Sequence, residues 1–197
     1  MNALEILENI AKAIYDNSFD HGLPHVERVL KWTYRIIEAE KLEIDEEILR
    51  LSVYLHDIGR VIGEPHGHYS MMIAEELMRE IGYNEDYIMR VLNAIAYHSF
   101  SFSKHYKIEP LCEEAKILSD ADKIDALGIV GLLRVFSYSF KLNRNMQDTL
   151  EHFYEKIFNL EKYMHYNFSK RIARVYITRI KLILRALVEE ISGVFYR

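Results

Sequence analysis

Apolar residues return every three to four positions along almost the whole chain, and that period predicts helices nearly throughout. Leu4, Leu7, Ala11 and Ile14 make one face of a first helix, which frays near Asn17-Ser18. Gly22 and Pro24 mark the entry to a second, with Pro24 suited to its first turn. Asp45 reads as the N-cap of a third, followed by acidic Glu46 and Glu47 and carrying Ile48, Leu49, Ser52, Val53, Leu55 and His56 up to a stop at Gly59. Two more run from about His68 to Ile81 and from about Glu85 to His98, separated by a Gly82 stop and an Asn84 cap. A further helical segment extends from about Cys112 through Gly128, and the last two run from about Met146 to Met164 and from about Phe168 to Ser192. No repeat or linker interrupts the pattern, so the expectation is an all-α fold in one domain over 1–197, with residues 146–192 completing the body.

The last helix is apolar on more than one face. Ile172, Tyr176, Ile183 and Leu187 form one stripe, and Ile177, Ile180, Leu184 and Ile191 another. Such width implies deep burial within the chain or a homodimer surface. Arg171, Arg174, Lys181 and Arg185 form a basic strip that reads as a solvated face.

Composition narrows the function. The chain has 197 residues, half of them hydrophobic, with only eight Gly and three Pro, as a helical protein with a sizeable core requires. A net charge of −5 disfavours binding along a nucleic-acid polymer, which needs a concentrated basic surface. A small phosphate ester is compatible with it, because local charge can outweigh the overall balance. The single cysteine, Cys112, excludes an intrachain disulfide and a cysteine-based zinc site. With no charged-then-apolar leader and no apolar run of membrane-spanning length, the expected location is cytoplasmic, with no membrane partner.

The chemistry concentrates on a few residues. His56 and Asp57 are adjacent in Leu55-His56-Asp57-Ile58-Gly59, with His25 upstream and Asp122 downstream. Two imidazoles and two carboxylates suit one divalent ion of Mn, Fe, Co, Ni or Zn, and with more water also Mg. Arg28 lies three residues after His25 and so shares its helix face, and Arg60 and Lys123 also adjoin proposed ligands. All three are candidates to bind phosphate. Asp122 and Asp125 lie three apart, on one side of a helix.

Pro24-His25-Val26-Glu27-Arg28-Val29, Leu55-His56-Asp57-Ile58-Gly59 and the run Ser119 to Gly128 together resemble the HD superfamily of metal-dependent phosphohydrolases. The resemblance runs from about residue 20 to residue 135, with the metal motifs between 25 and 125. His68-Tyr69-Ser70 and the segment from Ala94 to Ser101 are similar to the branch of small nucleotide pyrophosphohydrolases. It implies one metal held by His25, His56, Asp57 and Asp122, with His68, His98 and Asp125 in catalytic roles: the two histidines toward substrate phosphate, and Asp125 orienting water or a ligand imidazole. His66 competes with His68 for the same role, and Glu64 lies in a loop too loosely defined to assign. Tyr97, Phe100, Phe102 and Tyr106 read either as packing aromatics or as a stack for a nucleobase.

The expected activity is hydrolysis of a small nucleotide, with a nucleoside triphosphate, perhaps a deoxynucleotide, cleaved to monophosphate and pyrophosphate. Two other readings stand beside it. Some HD proteins hold two irons through additional histidines and act as oxygenases, and His68 and His98 would complete that set. A catalytically silent metal or nucleotide sensor is the other.

Overall fold

The computed structural model describes residues 2–193 and is helical, with no strand among the described residues. Backbone packing divides the chain into two compact units, Met1–Asp122 and Lys123–Arg197. No helix among the described residues is long and apolar enough to cross a membrane.

The first unit contains α1 (Ala3–Ile14), α2 (Leu23–Glu40), α3 (Glu46–Leu55), α4 (His66–Ile81), α5 (Glu85–His98) and α6 (Phe100–Tyr106). It ends within α7 (Glu113–Asp125). The caps are the ones the sequence announces. Asp45 accepts from the backbone N–H groups of Glu47 and Ile48, and Asn84 from that of Tyr87. Helix α3 is the pillar: seven of its residues, including Ile48, Leu49, Leu51, Val53 and Leu55, are buried. It packs against α1, α2, α4 and α5. A residue at the end of this helix is therefore delivered into the interior, and His56 and Asp57 follow Leu55 directly.

Gly59 brings the next turn into place. A short 3₁₀ turn, Ile58–Val61, lies so close to the start of α4 that a Cβ on Gly59 would sit 2.2 Å from the Ser70 backbone nitrogen. Only glycine allows that approach. The Gly59 N–H also donates to Ser70 Oγ at 2.9 Å.

The second unit contains the end of α7, α8 (Gly128–Lys141), α9 (Met146–Glu155) and α10 (Asn167–Ser192). Ala173, Ile177, Ile180 and Leu184 form the buried stripe of α10, which packs against α8 and a 3₁₀ segment, Ile157–Tyr163. Val175, Leu182 and Ile191 of the same helix are exposed. Gly131 lets α8 close onto the preceding turn, since a Cβ there would lie 2.1 Å from the Ala126 carbonyl oxygen.

Four local expectations change. Helix α4 starts at His66, two residues earlier than the pattern suggested. Phe100–Tyr106 and Gly128–Lys141 are helices that short or two-faced apolar patterns conceal. The predicted helix from Met146 to Met164 stops at Glu155, where Asn159 Nδ2 donates to the carbonyl oxygens of Tyr154 and Glu155. That side chain satisfies carbonyls which a continued helix would have paired.

Candidate functional site

His25 occupies the first turn of α2, where Gly22 is the N-cap and Pro24 occupies a position that needs no N–H donor. His56 and Asp57 lie at the junction of α3 and the 3₁₀ turn, His66 opens α4, His98 closes α5, and Asp122 lies near the end of α7. All six belong to the first unit. His25, His56, Asp57 and His98 are buried to 2% exposure or less.

The four proposed ligands are brought together. His25 Nε2 lies 3.2 Å from His56 Nε2, 3.5 Å from Asp122 Oδ1 and 3.7 Å from Asp57 Oδ2. His56 Nε2 is 3.8 Å from Asp57 Oδ2. Ligand atoms each ~2.1 Å from a shared ion stand ~3.0 Å apart at a right angle and ~3.8 Å apart at ~130°. The observed separations fall within that range.

Hydrogen bonding fixes which face of two of the rings is bare. His56 Nδ1 donates to the Val53 carbonyl oxygen at 2.7 Å, and His98 Nδ1 donates to that of Ile95. A neutral imidazole with Nδ1–H has its lone pair on Nε2. Burial, with neighbouring His98 and His25, lowers the His56 pKa to about 3 against the pull of Asp57, so the ring is neutral at ordinary pH. Buried neutral imidazoles and ionised carboxylates are a donor set for a divalent ion. Two overlapping groups have this geometry among the described residues, His25-His56-Asp122 and His56-Asp57-His98.

Burial alone would raise the Asp57 carboxyl. The Arg60 guanidinium first, then His56, His98 and His66, hold it well below the usual carboxylate range. Arg60 Nε donates to Asp57 Oδ2 at 2.6 Å. Asp57 Oδ1 is buried without a hydrogen-bond partner, with His66 Nε2 at 3.4 Å and His98 Nε2 at 3.6 Å. An unpaired buried carboxylate oxygen ringed by imidazole nitrogens is costly unless a cation or water reaches it.

Other expectations meet a different geometry. His68 is exposed, and its ring neighbours that of Tyr69. His66 is the histidine beside Asp57: two residues apart on a helix, the two side chains point about 200° apart, so one faces Asp57 and the other solvent. Arg28 lies with its guanidinium over the Phe19 ring and donates to the Phe19 carbonyl oxygen at 2.9 Å. Lys123 and Asp125 belong to the second unit, where both are buried and Asp125 Oδ2 accepts from Arg134 Nη1 at 2.8 Å. Phe102 packs against the backbone of Gly67 and pairs with Tyr106 at 4.6 Å between ring centroids.

Sequence reasoning missed one neighbour, Tyr15, and left another, Glu64, unassigned. The Tyr15 hydroxyl, at the end of α1, is buried without a hydrogen-bond partner, and burial together with the Asp57 charge raises its pKa well above the ordinary value. Glu64 contacts His66 twice. Neither has a local signal, since both contacts depend on where α1 and the loop before α4 run.

Protein YpgQ of Bacillus subtilis is 25% identical over 189 residues, covering 94% of this chain and 91% of that one. Its crystal structure superposes with a TM-score of 0.77 over 98% of both chains, and another of its crystal structures is a complex with ADP. An HD-superfamily hydrolase from Bacillus thuringiensis is 27% identical, with a TM-score of 0.71 over 96% of both chains. A protein of Lactobacillus plantarum, 20% identical, shares the fold with a TM-score of 0.81 over 97% of both. Residues 22–127 match the HD domain, the stretch that contains all six converging side chains, and the chain belongs to the HD family.

Proposed function

We propose that this protein is a metal-dependent phosphohydrolase acting on a small nucleotide, with a nucleoside triphosphate cleaved to monophosphate and pyrophosphate as the preferred reading. The observation that carries it is the convergence of His56, Asp122 and Asp57 on His25 Nε2, at 3.2, 3.5 and 3.7 Å. The ADP complex of YpgQ supports a nucleotide ligand.

A divalent ion held there would polarise a phosphoryl oxygen and make water a better nucleophile at neutral pH. The residues of the chain do the rest. His25 and His56 would supply imidazole nitrogens, and Asp57 and Asp122 the charge that keeps a cation in place. Arg60, with a quarter of its side chain exposed, offers its guanidinium to phosphate while holding Asp57. Arg28 is a weaker phosphate candidate because it is engaged with Phe19. His98 and His66 line the Asp57 Oδ1 side, and Asp125 acts through its support of α7.

A two-metal centre is the second reading. It is favoured by the overlap of the two groups at His56 and by the bare His98 Nε2 facing Asp57 Oδ1. The exposed Val175, Leu182 and Ile191 on α10 make a homodimer the proposed assembly.

The test is a panel of nucleotides incubated with Mn, Mg, Fe, Co, Ni or Zn, with phosphate and pyrophosphate separated, alongside metal analysis of the anaerobically purified protein. Pyrophosphate release from a triphosphate with one ion per chain is expected. Two irons per chain with dioxygen-dependent turnover would replace this reading with an oxygenase, and nucleotide binding without turnover would replace it with a sensor.

A further inference from the structure

Glu64 lies in the loop before α4 with 60% of its side chain exposed, so burial does not dictate its position. Its Oε2 nevertheless accepts from the His66 backbone N–H at 3.0 Å and contacts His66 Nδ1 at 2.9 Å. Its Oε1 lies 3.5 Å from Arg60 Nη1.

These contacts specify the state of the His66 ring. An ionised carboxylate can only accept, so Nδ1 must carry the hydrogen of that contact. A guanidinium can only donate, and Arg60 Nη2 stands 3.3 Å from His66 Nε2. The two hydrogen bonds, at opposite ends of the ring, favour Nδ1–H with the lone pair on Nε2 over the Nε2–H form that Asp57 Oδ1 alone would select. That nitrogen is the one 3.4 Å from Asp57 Oδ1.

We propose that Glu64 is a positioning residue that locks His66 in the Nδ1–H tautomer, so that Nε2 faces the centre as an acceptor. A neutral ring held this way takes a cation or the O–H of a water, and cannot donate to a phosphate oxygen. His66 therefore acts on the water and cation side of the centre, and phosphate is left to Arg60. A carboxylate behind an imidazole also raises the basicity of the opposite nitrogen. The kinetic consequence rests on the phosphohydrolase reading, but the tautomer does not.

The test uses full-length protein with ¹⁵N-labelled histidine, freed of metal by chelation, and reads the ring nitrogens by long-range proton–nitrogen correlation at neutral pH. His66→Asn assigns the signals. The wild type should show His66 with the hydrogen on Nδ1, Glu64→Ala should populate the Nε2–H form, and Glu64→Gln, which keeps one acceptor oxygen, should fall between them. Because Glu64 is exposed, all variants should keep the wild-type melting temperature. Titration with Mn should show ~10 to 100-fold weaker binding or turnover in Glu64→Ala, the usual cost of losing a supporting partner, with kcat reduced more than nucleotide KM is changed. A wild-type His66 in the Nε2–H form, or an unchanged tautomer in Glu64→Ala, overturns the proposal. So does a changed tautomer with unchanged Mn affinity and turnover. If the wild type hydrolyses no nucleotide, the phosphohydrolase reading fails, and the tautomer and Mn affinity still decide the role of Glu64.

Discussion

Asp57 and Asp125 are both 2% exposed, and each accepts a hydrogen bond from an arginine, yet their surroundings differ in kind. Arg134, which pairs with Asp125, is itself only 7% exposed, and the two form a buried ion pair within the second unit. Arg60, which pairs with Asp57, reaches solvent, and the other oxygen of Asp57 faces His66 and His98 without a hydrogen bond. Burial and an arginine therefore do not identify a functional carboxylate. What sets Asp57 apart is acceptor capacity left over in the interior, beside nitrogens that also have lone pairs to give.

The contrast is sharpest in stability. Asp125→Asn should destabilise the protein by about 3–5 kcal/mol, because it leaves Arg134 as an uncompensated buried charge. Adding Arg134→Met should recover much of that loss, since an apolar replacement of a buried pair is often neutral. Urea unfolding of the single and double variants measures both, and a mild single-variant effect would mean that Asp125 is no structural anchor.

Asp57→Asn should invert the pattern. Cation affinity should fall by more than the ~100-fold that losing an outer partner costs. The unfolding midpoint should fall less than in Asp125→Asn: the fold holds the Asp57 carboxyl well below its ordinary range, so its charge is stabilising, but Arg60 reaches solvent when it loses that partner. Calorimetric titration with Mn and the same urea experiment decide it, and full Mn affinity in this variant would remove Asp57 from the site.

Acid should act on the His56 side. With its folded pKa lowered to about 3, His56 stays neutral in the native state while the unfolded chain protonates below the ordinary histidine value of 6.5. Stability is thus complete above pH 6.5 and declines as pH falls toward 3, by up to ~1.4 kcal/mol per pH unit for one proton. His66, also lowered, chiefly by burial, adds to the same decline. Denaturation midpoints of the chelated protein between pH 7.5 and 4 should therefore drop, and His56→Asn should flatten the drop.

Gly59→Ala should cost ~1–3 kcal/mol, the usual penalty of overpacking, because the turn must shift away from Ser70. It should also weaken cation binding by displacing Asp57, which a thermal melt and a Mn titration would show together. The smallest effect belongs to His68→Ala, an exposed position where stability should stay within ~0.5 kcal/mol and turnover should be unchanged. His66→Ala should lower turnover, and equal rates for these two variants would erase the distinction between them.

The helical period and the caps at Asp45 and Asn84 are local properties, so the all-α class was legible in the residues themselves, and the metal-ligand candidates were implied by the resemblance of the segments around His25, His56-Asp57 and Asp122 to the HD superfamily. Each depends on short-range geometry: one turn of helix, one cap, or one residue type suited to a cation. His66 against His68 was not legible, because which of two histidines in the first turn of α4 faces inward is settled by how that turn packs beside Asp57. Nor were the partners of Asp125, Tyr15 and Glu64, which lie on other elements or on a loop with no periodicity. Sequence named the residues whose chemistry suits a cation. The tertiary structure decided which buried carboxylate spends its charge on an arginine and which keeps an oxygen for the site, because that choice depends on distances between segments far apart in the chain.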